Sequence, residues 1–196
     1  MRQGAQHVML RKGIPVLLGM LAIACNDTAT VGGAPSPSAS VSVAIPPLPL
    51  GQMHMTETTK SGDEASVDAT DSQAMQTIVE NAGLVGVREQ VYTGGRGSYS
   101  RVVVRAWEFE SAQGAGAFHD WLLTNATHSV IGDAKPVPTS VEGLFVHEPS
   151  GCCHEETPIY LATWQKGDVV WTVVASGPRI ETPPVVQLVK NIEQEV

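Results

Sequence analysis

The sequence predicts an α+β fold, with an antiparallel sheet of about five strands and helices packed on one face. Two pairs of strand-like segments are each joined by a short glycine-containing loop, which is typical of β-hairpins. Helical segments stand before, between and after these pairs, and no strand–helix–strand crossover repeats. With 42% hydrophobic residues, the chain can fill the core of such a fold.

The predicted domain starts with a helix and a hairpin. Apolar residues at helical spacing follow a cap at Asp71 or Ser72, and Gly83 stands where a helix C-cap belongs. Strands are predicted at 84–92 and 99–110, joined by the loop TGGRGS. The segments that follow are therefore expected to pack against this hairpin.

The second of these strands contains VVVRAWEF and is apolar on both sides. Val102 and Val104 fall on one face, whereas Trp107 falls on the other together with Arg105. Ser111 caps the next helix, whose inward stripe is Ala115, Phe118, Trp121 and Leu122. Within it, the glycines of QGAGA indicate close helix packing rather than a dinucleotide loop.

The second half of the domain continues with three strands and a helix. Strands are predicted at 144–147, 159–165 and 169–175, and Lys166-Gly167-Asp168 forms the tight turn between the last two. The final helix begins at Thr182-Pro183-Pro184, since proline is tolerated in a first helical turn. Its buried stripe is Val185, Leu188, Val189 and Ile192.

Residues 1–24 have the layout of a signal peptide. Arg11 and Lys12 precede an apolar run over 14–24, which is too short for the roughly 20 residues of a spanning helix. The run ends in LAIAC, which resembles the lipobox of bacterial lipoproteins, with Leu21 one position earlier than the usual leucine. The resemblance implies that Cys25 carries the lipid and that the protein is exported and anchored to the cell membrane.

Residues 25–70 are predicted to form a flexible Pro/Ser/Ala-rich linker, because neither helical nor strand periodicity persists there. The folded domain is therefore expected to span residues 71–196. The net charge of −8 argues against nucleic acid as a partner, since phosphate binding needs a basic surface.

The segments VVVRAWEFESAQGAGAFHDWL and YLATWQKGDVVWTVVASG are similar to small extracytoplasmic domains of bacterial lipoproteins, above all actinobacterial ones. The resemblance implies an envelope-anchored domain and supplies no catalytic residue. We therefore expect non-enzymatic binding or sensing of a small ligand or an envelope partner, with no cofactor. An envelope enzyme and a metal- or redox-linked protein remain the alternatives.

The stretch SGCCHEE is rich in side chains that can bind a metal or react. After export, Cys152 and Cys153 are expected to oxidise, and a strained disulfide between these neighbours is the leading hypothesis. A metal site would use Cys152, Cys153, His154 or His147, although adjacent cysteines do not fit the spaced pairs of structural zinc sites. A disulfide between two molecules through Cys152 or Cys153 is a further alternative.

Tryptophans offer a candidate ligand surface. Trp164 and Trp171 flank the late hairpin turn, so their side chains can pair across it. Together with Trp107 they could form a platform for a sugar or an apolar ligand, and burial in the core is the competing interpretation.

Replacing Cys25 with Ala tests the predicted anchor. In a bacterial host grown with a labelled fatty acid, we expect the natural chain to carry label and sediment with membranes, and Cys25→Ala to lose both. Cys152→Ala is the matched control and should keep both. Retention of label in Cys25→Ala would contradict the lipobox interpretation.

Overall fold

A computed structural model describes residues 40–51, 53–95, 97–126, 130–148 and 157–196. In these ranges the strands are β1 His54–Lys60, β2 Leu84–Thr93, β3 Arg101–Phe109, β4 Lys135–Pro136, β5 Leu144–His147, β6 Ile159–Lys166 and β7 Val169–Ser176. The helices are α1 Gly62–Ser66, α2 Ser72–Asn81, α3 Ala112–Asn125 and α4 Thr182–Glu195. None of the helices in the described ranges is long and apolar enough to span a membrane.

The strands form one antiparallel sheet in the order β1-β2-β3-β7-β6-β5-β4. Two meanders, β1 to β3 and β4 to β7, meet where β3 pairs with β7. The register places Val103 opposite Val174 and Trp107 opposite Val170. The predicted antiparallel α+β architecture is confirmed. The predicted count of about five strands is too low, because β1 and β4 were not expected.

Helices cover both faces of the sheet, so the prediction of helices on one face is wrong. On one side, here the α3 face, α2 and α3 pack on Trp107 and Val170. On the other, the α4 face, α4 packs on Val104, Trp171 and Val173. The physical reason lies in β3, which is apolar on both sides, so that each face needs its own covering layer.

Residues 41–50, here called the N-terminal strap, lie against the α4 face without regular secondary structure. Val41, Ile45 and Leu48 of the strap are buried in the hydrophobic core. Both β1 and α1 also fall inside the predicted linker. The linker prediction is therefore wrong from residue 40 onward, whereas residues 25–39 lie outside the described ranges. The folded unit starts earlier than the predicted residue 71.

A carboxylate of β3 holds the start of the strap. Glu108 accepts hydrogen bonds from the backbone N–H and the hydroxyl of Ser42, both at 2.6 Å, and from the Val43 N–H at 3.2 Å. Burial would raise the pKa of Glu108, but these hydrogen bonds hold that pKa below its ordinary value. The contact therefore stabilises the fold above the ordinary carboxyl pKa, and the stabilisation is lost as pH falls through the lower folded value.

Two buried side chains of β2 hold the middle of the strap. The side-chain amide of Gln90 donates to the carbonyl of Ile45 at 2.9 Å. The Tyr92 hydroxyl accepts from the Leu48 N–H at 2.9 Å and donates to the Gln90 side-chain oxygen at 2.8 Å. The strap does not pair with a strand. Side chains of the sheet instead form the hydrogen bonds that its buried backbone requires.

Local signals explain the predicted helices. The Asp71 carboxylate caps α2 by accepting from the Ala74 N–H at 3.0 Å, and the Ser111 hydroxyl caps α3 by accepting from the Gly114 N–H at 3.1 Å. A Cβ on Gly114 would lie 2.0 Å from the carbonyl oxygen of Ala82. Glycine at this position therefore permits close contact between α2 and α3, as the sequence predicts.

Replacing Ile45 with Ala tests whether the strap belongs to the fold. We expect the free energy of unfolding to fall by about 2–4 kcal/mol, because a buried side chain leaves a cavity. Ala44→Ser, one residue away and exposed, should change it by less than about 0.5 kcal/mol. Urea denaturation followed by tryptophan fluorescence measures both. Equal, small effects would restore the linker interpretation.

Candidate functional site

A cavity of about 310 Å³ lies on the α3 face, above the start of β3 and the end of β7. Known ligand sites span about 300–1,000 Å³, so this volume suits a small ligand. The described lining residues are Asp68, Ala69, Thr70, Met75, Arg101, Val103, Arg105, Val130, Ile131, Ile159 and Val174.

The sheet supplies the floor of this cavity, and two loops supply its walls. Val103 and Val174 are direct partners in the β3–β7 register and both line the cavity. One wall is the connection from α1 to α2, and the other is the segment after α3. They meet where the backbone N–H and the hydroxyl of Thr70 donate to the Val130 carbonyl, both at 3.4 Å.

Beside the cavity, an ion network crosses from the sheet to the α1–α2 connection. Arg105 donates from Nε to Glu89 at 2.6 Å and from Nη2 to Asp68 at 2.5 Å. Lys60 pairs with the other Glu89 oxygen at 2.8 Å. The side chains of Arg105 and Glu89 are 9% and 4% exposed. Such burial is costly unless both charges are paired, as they are in this network.

Asp68 is the outermost member of this network, with its side chain 50% exposed. Burial would raise its pKa, but the hydrogen bond and charge of Arg105, with smaller contributions from Arg101 and Lys60, hold the pKa below its ordinary value. Asp68 therefore stays ionised near neutral pH and ties the cavity wall to β3.

The tryptophans do not form the predicted common surface. Trp107 is fully buried on the α3 face, where its indole N–H donates to the Thr172 hydroxyl at 3.0 Å. Trp171 is buried on the opposite, α4 face. Trp164 is half-buried and stacks on Trp171, with ring centroids 6.0 Å apart and planes 9° apart. The expected cross-strand pair therefore exists, but as part of the core.

Four residues of the predicted lipid, disulfide and metal sites lie outside the described ranges: Cys25, Cys152, Cys153 and His154. His147, the remaining metal candidate, ends β5 and is half-buried; its Nδ1 atom is buried and has no described hydrogen-bond partner. Within the described ranges, no group of three or more His, Cys, Asp or Glu side chains could hold a metal ion. The vicinal disulfide and the lipid anchor stay predictions.

Sequence reasoning missed the cavity, although one signal pointed to it. In VVVRAWEF, Arg105 falls on the same face as Trp107, so a charge stands in the middle of a strand expected to be buried. A buried arginine needs a paired carboxylate, which Glu89 provides from the neighbouring strand. The contribution of Asp68 had no sequence signal, because it lies in a segment predicted as linker.

No family model matches the sequence, and no curated protein matches it. Among solved structures, the chain is similar to the crystal structure of the extracellular domain of PknH from Mycobacterium tuberculosis. The identity is 15% and the TM-score 0.44, over 74% of this chain and 82% of that chain. A likeness this distant assigns neither a family nor a function.

Replacing Arg105 with Met tests the ion network. We expect the free energy of unfolding at pH 7 to fall by about 3–5 kcal/mol, because buried Glu89 loses a partner. Lys135→Met, which breaks an exposed pair with Glu148 at 3.4 Å, is the control and should cost at most about 1 kcal/mol.

Replacing both Arg105 and Glu89 with Met should recover part of the stability lost in Arg105→Met, because no carboxylate is then left buried without its arginine. Urea denaturation of the natural chain, Arg105→Met, Glu89→Met and the double variant measures the coupling. Equal losses for Arg105→Met and Lys135→Met would show that the network contributes no more than a surface ion pair.

Proposed function

We propose that this protein is an exported, lipid-anchored binding domain that takes a small ligand in the cavity on the α3 face. The signal-like segment and the resemblance at Cys25 support export and anchoring. The cavity between the sheet and the loops at 67–71 and 130–131 supports binding, and its position on a rigid sheet favours a preformed site.

The chemistry of the lining favours binding over catalysis. Asp68 is the carboxylate among the described lining residues, and its lowered pKa and hydrogen bond to Arg105 make it a weak base. The Thr70 hydroxyl donates to the Val130 carbonyl and has no described base beside it. These groups hold the wall in place rather than activate a substrate.

A cavity-filling variant tests the proposed function. We expect a library of small molecules, titrated into the labelled full chain, to contain ligands that shift the amide signals of Ala69, Val103, Ile131 and Val174. Ala69→Phe, which places a ring in the cavity wall, should weaken these ligands at least tenfold. Nuclear magnetic resonance spectroscopy measures both the site and the affinity.

The matched control is Ala117→Phe, since Ala117 is exposed on α3 and does not line the cavity. It should bind the same ligands as the natural chain. Ligands that bind Ala69→Phe unchanged, or a library without any ligand that perturbs the cavity, would contradict the proposed function.

A further inference from the structure

The charges around the cavity do not balance. Of the described side chains in the lining and the ion network, Lys60, Arg101 and Arg105 are cations, and Asp68 and Glu89 are carboxylates. One positive charge is therefore in excess, in a chain whose net charge is −8. A concave site with a local excess of one sign concentrates ligands of the opposite sign.

The excess charge belongs to Arg101. Its side chain lines the cavity, the residue is exposed, and none of the described salt bridges involves it. Arg105, four residues later on the same face of β3, uses Nε and Nη2 in the ion network, and no described residue accepts from its Nη1. Four residues of a strand span about 13 Å, so both long side chains can reach toward Val103 between them.

Apart from Arg101, Arg105, Asp68 and Thr70, the described lining is apolar. Met75, Val103, Ile131, Ile159 and Val174 surround the space next to the two arginines. Such a surface gains from burying hydrocarbon, at about 25 cal/mol for each Å² removed from water. An inorganic anion would leave these side chains without a partner, whereas an anion that carries a hydrocarbon group contacts both parts of the cavity.

We propose that the ligand is a small carboxylate with an apolar tail. Its carboxylate accepts hydrogen bonds from Arg101 and from Nη1 of Arg105, and its tail lies on Val103 and Val174. Planar guanidinium groups match a carboxylate well, and a single negative charge cancels the excess. A phosphate monoester, with about −1.5 to −2 charges at pH 7, would reverse the excess instead. The inference rests on the proposed function of the same cavity.

The charge requirement is tested with three probes: octanoate, neutral 1-octanol of the same chain length, and acetate without a tail. In calorimetric titrations of the full chain, octanoate should bind at least tenfold more tightly than either of the others. Hexanoate should bind roughly 15-fold more weakly than octanoate, since it lacks two methylenes and each buried methylene contributes about a fourfold gain in affinity.

Arg101→Gln identifies the group that recognises the charge. Because Arg101 is exposed, the variant should keep the unfolding midpoint of the natural chain while its affinity for octanoate falls at least tenfold. Its affinity for 1-octanol should stay within twofold. The matched control, Arg179→Gln, removes an exposed arginine that does not line the cavity and should bind octanoate like the natural chain.

The outcomes separate this inference from the proposed function. Equal affinities for octanoate and 1-octanol, or unchanged octanoate binding by Arg101→Gln, would overturn the carboxylate class. If octanoate bound without this charge preference and Ala69→Phe abolished its binding, the cavity would remain a ligand site, but for another chemical class of ligand. If octanoate failed to bind, the inference would be wrong, and the library titration would decide the proposed function separately.

Discussion

The pairing of β3 with β7 is the contact on which the rest of the structure depends. It joins two meanders that come from the two ends of the folded region, from Arg101 opposite Ser176 to Glu108 opposite Val169. The cavity floor exists only when this pairing forms, because Val103 and Val174 come from different meanders. A register slip of one residue on either strand would turn its side chains to the opposite face.

A central strand pair that is apolar on both sides imposes two further constraints. Both faces need cover, so the strap supplements α4 on one side, while α1, α2 and α3 cover the other. A charge on such a strand also needs partners in the adjacent layers. Arg105 finds them in Glu89 of β2 and Asp68 of the α1–α2 connection, and the same ion pairs fix a wall of the cavity. Stability and the candidate site thus share one set of contacts.

Elements with strong local signals were predicted well. The helix caps at Asp71 and Ser111 and the turn at Gly167 act over a few residues, so they are visible in the sequence. β1 was missed because its sequence, HMTETTK, is polar and all but its last residue is exposed. It is a strand because it pairs with β2 at the sheet edge, not because of any apolar period. The strap was missed for a similar reason, since side chains of the sheet form the hydrogen bonds of its backbone groups.

By itself, the sequence determined the antiparallel α+β class, the faces of β3, most helix and strand positions, and the expectation of an exported, anchored chain. Hydrophobic period, capping residues and turn glycines carry that information locally. Tertiary structure alone decided that both faces are covered, that residues 41–50 belong to the core, and that the tryptophans lie on opposite sides of the sheet. It also brought Asp68, Arg101 and Arg105 to one cavity. These outcomes depend on contacts between residues far apart in the chain, which no local pattern specifies.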